Sequence, residues 1–265
     1  MGLIFIFLTK FMFNIAYNTF KELTRNKILY LILFFGIILI VFSLALASLS
    51  LGQTEKIIVD FGLASLEVFG FISVIFIWSQ ILFREIEWKT IYLILSKPIS
   101  RYEFILGKFM GFAAILFFVI FFQAVIFFGL ALYSQVAFNM LLVYSIVFIY
   151  LKLLVLFSII LFLSSFVSSI LSIIITILVY IISHSITSII DMAAFKKNEI
   201  LVYLWKFLYV VFPNFEALNI KNLVSTPEKI WFNYLAWNTA YALIYLAFIL
   251  FFTIIIFNKK TFENS

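Results

Sequence analysis

The chain has 265 residues, of which 66% are hydrophobic and 11% charged; 37 are phenylalanine, and the formal net charge is +6. A soluble domain carries roughly 45–50% apolar and about 25% charged residues, and an interior built from this chain length has no room for so much apolar surface. The composition excludes a soluble enzyme, a disordered chain and a nucleic-acid-binding domain, and it requires lipid as the main solvent. With no cysteine and one histidine, disulfides, thiolate metal sites and cysteine nucleophiles drop out, and a His-based metal site is disfavoured.

Taken in chain order, residues 3–8 are apolar but short, with neither a preceding positive residue nor a small-residue cleavage site, so they do not read as a signal peptide. Met12 is a candidate natural start. Residues 12–27 are expected to form an interfacial helix: Phe13, Ala16, Tyr17, Phe20 and Leu23 share one face, and Asn14, Asn18, Lys21, Glu22 and Arg25 the other. Six apolar runs follow, at 28–50, 63–83, 104–133, 139–163, 170–189 and 234–257. Each meets the requirement of about 20 residues for a helix crossing the hydrocarbon. They are continuous and too long for barrel strands. The predicted fold class is therefore all-α integral membrane, a single transmembrane domain over 1–265 with six spans.

Positive charge clusters on one side: Lys10, Lys21, Arg25 and Lys27 before the first span, Arg84, Lys89, Lys97, Arg101 and Lys108 between the second and third, and Lys259 and Lys260 after the sixth. The short loops opposite carry only Lys56. The positive-inside rule then places both termini in the cytoplasm. The outer segment 190–233 holds five lysines, but long loops count less in this rule. Within it, 200–212 is apolar yet too short to span, and reads as a re-entrant or interfacial helix ending at Pro213. Thr226-Pro-Glu228 suits the start of the last helix, and Trp231, Tyr234 and Trp237 suit an interfacial aromatic belt.

The densest polar stretch is 84–108, with eight of the thirty charges in 25 residues. Glu85 and Lys89 are spaced for a helical ion pair, and Ile86, Thr90, Leu93 and Ile94 would share a face. Ser96-Lys97-Pro98 stops that helix, and Ser100-Arg-Tyr-Glu103 reads as a capping box opening the third span. A short surface helix followed by a capped restart is more than an ordinary loop needs, which favours a docking surface for a cytoplasmic partner.

At these residues the chain resembles the membrane subunit of ABC transporters of the ABC-2 type. The resemblance lies in Arg84-Glu-Ile-Glu-x-x-Thr90-Ile, Leu95-Ser-Lys-Pro-Ile-Ser-Arg101 and Phe104-Ile-Leu-Gly-Lys108. Asn18-Thr-Phe-Lys-Glu-Leu-x-Arg25-Asn-Lys, Ser164-Ser-Phe and Phe212-Pro-Asn-Phe-Glu216 also fit, in order over 14–257, whereas 1–11 have no counterpart. It implies a permease subunit, most simply an exporter, in a prokaryotic cytoplasmic (inner) membrane. It also implies a second permease subunit, giving a homodimer, and two copies of a separate ATP-binding subunit. The resemblance makes 85–95 the coupling helix within the segment 84–103, with Arg84, Glu85, Glu87, Lys89, Thr90, Ser96, Lys97, Pro98 and Arg101 at the ATPase interface. It makes 14–27 the interfacial connecting helix, and it brings the serine link between spans four and five (Ser164, Ser165, Ser168, Ser169) near the ATPase.

The chain itself is not expected to be an enzyme. Its only Gly-Lys pair, Gly107-Lys108, is followed by Phe109 and lacks the earlier glycine of a phosphate-binding loop. No cofactor is expected in this chain; ATP and Mg belong to the partner subunit. Three ionisable residues fall within spans: Glu67, Lys152 and His184. A lysine at mid-bilayer costs about 2.5–3.5 kcal/mol on insertion scales, so these residues should face the bundle interior. By depth, Glu67 and His184 can pair one to two turns from the outer surface, with the stem of Lys152 reaching toward Glu67. They read either as a polar lining of the substrate path or as a structural hydrogen-bonded cluster. Gly107 and Gly111 form a small-xxx-small pair suited to close helix packing. Two other readings of the whole chain stay open: a membrane component of an ABC assembly that transmits force or regulates without transport, and an ATP-independent secondary carrier. The carrier is disfavoured because no repeat or proline-broken span is present.

Overall fold

The computed structural model describes residues 2–49, 52–87, 100–195, 203, 205, 207–209, 211–224 and 232–259. Among them every regular element is helical. The elements are α1 (Gly2–Thr24), α2 (Lys27–Ser48), α3 (Thr54–Glu87), α4 (Arg101–Tyr133), α5 (Met140–Ser164), α6 (Ser169–Phe195), a single turn at Lys221–Val224, and α7 (Phe232–Lys259). Helices α2 to α7 are each long and apolar enough to cross a membrane, in agreement with the six runs read from the sequence.

Successive spans alternate in direction and define two ends of the bundle. The foot gathers α1, the start of α4, the α5–α6 link and the end of α7; there the Arg101 side chain meets the Phe257 carbonyl. The head gathers the α2–α3 and α4–α5 links and the segment 211–224; there Glu55 Oε1 accepts from the Ala137 amide at 3.2 Å. Local chemistry sets the helix starts. Asn26 and Asn139 hold extended N-cap conformations, and their side chains accept from Ile28 N and Leu141 N at 3.0 Å, which satisfies amides that have no partner within the helix.

The core sits on α5. In its most apolar stretch 72% of the residues are buried, against 17–56% in the corresponding stretches of the other spans. Phe157 on α5 stacks on Phe112 of α4 with centroids 3.6 Å apart and meets Trp78 of α3 edge-on at 5.4 Å. The outer faces of α2 and α4 expose Phe34, Phe35, Phe42, Phe117, Phe121 and Phe122. In water such a surface would drive association; in a bilayer it is the lipid-facing surface.

Several expected boundaries shift. The second span begins at Thr54 rather than 63, because Glu55, Lys56 and Asp60 interrupt the apolar run but not the helix, and Ile58 and Val59 are buried beside them. At its other end α3 runs unbroken to Glu87 instead of stopping at 83. Arg84-Glu-Ile-Glu87 contains no residue that disfavours a helix strongly enough to end one. The interfacial helix was expected over 12–27; α1 instead covers Gly2–Thr24, and Lys27 opens the next helix after Asn26 caps it. Within α1 the apolar stripe divides. Leu23 and Thr19 are buried while Phe13 and Tyr17 are exposed, so the face set against the bundle is rotated from the one inferred by apolar spacing. Helix α6 continues to Phe195, past the expected 189. Positions 203, 205, 207–209 and 211 are helical, within the stretch read as re-entrant. The expected helix start at Thr226-Pro-Glu228, together with Trp231, lies outside the described residues; Tyr234 and Trp237 are exposed on the first turns of α7.

Candidate functional site

The head of the bundle contains a buried carboxylate surrounded by donors from three other elements. Glu67 on α3 is 2% exposed, and Lys152 on α5, 1% exposed, reaches its Oε1 at 2.8 Å. His184 Nε2 on α6 lies 3.0 Å from the same oxygen, and the Tyr180 hydroxyl donates to it at 3.0 Å. Lys221, in the single helical turn Lys221–Val224 of the outer segment, donates to Glu67 Oε2 at 2.6 Å. A charge this deep is tolerated only when its remaining lone pairs are filled, and here each carboxylate oxygen has a cationic donor.

The imidazole has a restricted role. Nε2 faces both Glu67 Oε1 and, at 3.3 Å, Lys152 Nζ. A ring nitrogen carrying hydrogen donates to the carboxylate, and one without hydrogen accepts from the lysine; it does not do both. In either tautomer only one of these contacts is a hydrogen bond. His184 Nδ1 is buried with no partner among the described residues.

Aromatic rings enclose the cluster. Phe71 stacks on Tyr180 at 4.3 Å, and Phe215 packs edge-on to His184 at 5.8 Å. Phe215 belongs to the outer segment, which turns down into the head. Phe215, Leu218 and Ile220 are buried. Asn214 Oδ1 accepts from Ala217 N at 3.1 Å, and the Asn214 amide donates to the Tyr241 hydroxyl of α7 at 2.8 Å.

The structure thus brings together Glu67, Lys152 and His184, the three ionisable residues singled out within spans. Sequence reasoning missed Tyr180 and Lys221. Tyr180 was recoverable, since it lies one turn before His184 on the same helix face. Lys221 left no such signal. It lies outside every span among the other lysines of the outer segment, and only the return of that segment onto the bundle selects it.

The foot carries the second set of candidates. Arg84, Glu85 and Glu87 fall in the last turns of α3. Lys89, Thr90, Ser96, Lys97 and Pro98, and with them most of the expected coupling helix 85–95, lie outside the described residues. Ser100 is the extended N-cap of α4, and its amide donates to Glu103 Oε2 at 2.9 Å, as the capping-box spacing anticipates. Arg101 points back into the protein: Nη1 donates to the carbonyls of Phe257 at 2.9 Å and Asn258 at 3.1 Å. Gly107 and Gly111 mark the seat of α1. A Cβ on Gly111 would lie 2.6 Å from the Ala16 carbonyl oxygen, and one on Gly107 would lie 2.8 Å from Ile15 Cβ. In the α5–α6 link Ser164 and Ser165 donate to the Leu161 and Phe162 carbonyls one turn back at 2.8 and 2.6 Å; Ser165 and Ser169 are buried, whereas Ser168 is exposed.

No curated protein matches the chain. A family model described as ABC-2 family transporter protein matches residues 13–261, a stretch that takes in all six spanning helices, both polar sites and the link between α3 and α4. With nearly its whole length covered and a six-span helical fold to match, the chain belongs to the ABC-2 family of transporter membrane proteins.

Proposed function

We propose that the chain is the permease subunit of an ATP-driven transporter, an exporter, that pairs with a second copy of itself and with two copies of a separate ATP-binding subunit. The observation that supports this best is the family match over 13–261; the positive charge that clusters at the foot around the α3–α4 link accords with it. In this reading the foot faces the cytoplasm of a prokaryotic cell. Residues 84–103 take the thrust of ATP-driven closure in the partner, and the bundle alternates between two rigid arrangements that expose the path to one side and then the other. ATP and Mg stay in the partner. The Glu67 cluster lines the path near its outer end.

The test uses the permease coexpressed with a candidate ATP-binding subunit from the same genome, purified and reconstituted into vesicles. The native pair is expected to copurify and to move substrate with ATP. Glu87→Lys is expected to abolish copurification or to uncouple ATP hydrolysis from transport. A complex that survives Glu87→Lys with copurification and stimulation intact removes the docking assignment. Transport unchanged in Glu67→Ala removes Glu67 from the path lining.

A further inference from the structure

We infer that Arg101 is a positioning residue that ties the end of the last span to the α3–α4 link, and not a contact to the ATP-binding partner. The inference rests on the permease reading above and reassigns one residue within it.

The geometry starts at the end of a helix. The carbonyls of Phe257 and Asn258 lie toward the C-terminal side of α7, where the helix dipole is negative. Arginine suits that end because its planar donors remain charged and can reach two acceptors at once. Arg101 does this from more than 150 residues away in sequence, with Nη1 2.9 Å from the Phe257 carbonyl and 3.1 Å from that of Asn258. One turn along α4, the Phe104 ring stacks on Phe257 with centroids 6.0 Å apart and planes 17° apart. Two successive contacts on α4 therefore hold one end of α7, and the first belongs to the residue that follows the link.

The rest of the foot makes this clamp stiff. The Ser100 amide is bound to Glu103 Oε2, so the link enters α4 through a fixed turn. Gly107 and Gly111 let the backbone of α1 approach α4 at Met12 and Ala16. The first turns of α4 thus carry α1 on one side and the end of α7 on another. Displacement of the link moves α7 with α4. At its far end α7 touches the outer segment through Tyr241, which accepts from Asn214 N at 2.8 Å, and that segment carries Lys221 onto Glu67. Arg101 thereby joins the driven end of the bundle to the helix that holds the outer segment.

The experiment compares Arg101→Met, Arg101→Lys and Phe257→Leu in the complex with the ATP-binding subunit, reading copurification, transport and substrate-stimulated ATP hydrolysis separately. Arg101→Met is expected to keep the ATP-binding subunit bound while transport and stimulation fall about tenfold, within the roughly 5–150-fold range of coupling factors between sites. Arg101→Lys keeps a donor but not the fork and should fall between Arg101→Met and the native protein. Phe257→Leu removes only the stacking and should lose less than Arg101→Met with docking intact. Loss of the ATP-binding subunit from Arg101→Met, or transport unchanged in it, overturns the inference. A spin label at Lys259→Cys, unambiguous in a chain without cysteine, reads the clamp without the partner. Its spectrum should become more mobile in Arg101→Met and stay near native in Arg101→Lys, and an unchanged spectrum in Arg101→Met also overturns the inference. A native permease that captures no ATP-binding subunit defeats the function proposed above, whereas a native complex with an immobile label in Arg101→Met defeats only the clamp.

Discussion

The head and the foot of the bundle solve opposite problems with polar groups. At the head, full charges are buried: Glu67 and Lys152 are both within 2% of complete burial, and they hold only because each supplies what the other needs. At the foot, Arg101 is half-buried and is satisfied by backbone carbonyls, and the tight α1–α4 contact rests on glycine. Removing one partner from a buried pair strands a charge in a medium that cannot solvate it, whereas removing a cap returns carbonyls to a surface that water can reach. The head should therefore respond to substitution mainly in stability, and Arg101 at the foot mainly in coupling.

The largest expected effect is that of Lys152→Met. It leaves Glu67 with a single cation at its edge and should destabilise the protein by about 3–5 kcal/mol, the usual cost of breaking a buried pair from one side. Thermal unfolding in detergent measures this, and the double variant Glu67→Gln/Lys152→Met should recover most of the loss. If Lys152→Met proves as mild as a surface change, the contrast between the two ends collapses. Next comes Gly111→Ala. Its new Cβ meets a carbonyl oxygen of α1 at 2.6 Å, and a backbone atom cannot swing aside as a side chain does. Overpacking of this kind costs about 1–3 kcal/mol, and it should show as earlier proteolytic release of α1. The smallest effect is that of Lys221→Met. Lys221 is 22% exposed and leaves the Glu67–Lys152 pair intact, so about 1 kcal/mol is expected, near the upper end for exposed pairs. Raising the salt concentration should narrow the difference between Lys221→Met and the native protein while leaving the Lys152→Met deficit in place, because screening reaches only the accessible pair.

How much of this was legible depends on what each feature answers to. The six spans were readable because transfer into lipid adds up along a local window of residues. Their ends were readable only approximately. Glu55, Lys56 and Asp60 made the start of α3 look like a loop, although a helix can extend beyond the hydrocarbon with polar residues on its free face. Glu67, Lys152 and His184 stood out because intramembrane charge is costly and must find company, and counting residues along three helices placed them at compatible depth. Arg101 was placed at the ATPase interface because it closes the motif Leu95-Ser-Lys-Pro-Ile-Ser-Arg101 that carries the family resemblance. Nothing near it in sequence announces that the Phe257 and Asn258 carbonyls of α7 arrive beside it.

The sequence by itself determined the solvent, the number of spans, the shared end of the two chain-terminal helices and the family likeness, since each of these is set by local composition or by a contiguous motif. Only the tertiary structure decided which lysine of the outer segment answers Glu67, which face of α1 meets α4, and that Arg101 turns inward. Hydrophobic partition is non-directional and sums over neighbours in the chain. A hydrogen bond or ion pair requires two particular atoms within about 3 Å, and for residues as distant as Glu67 and Lys221 only packing of the helices brings those atoms together.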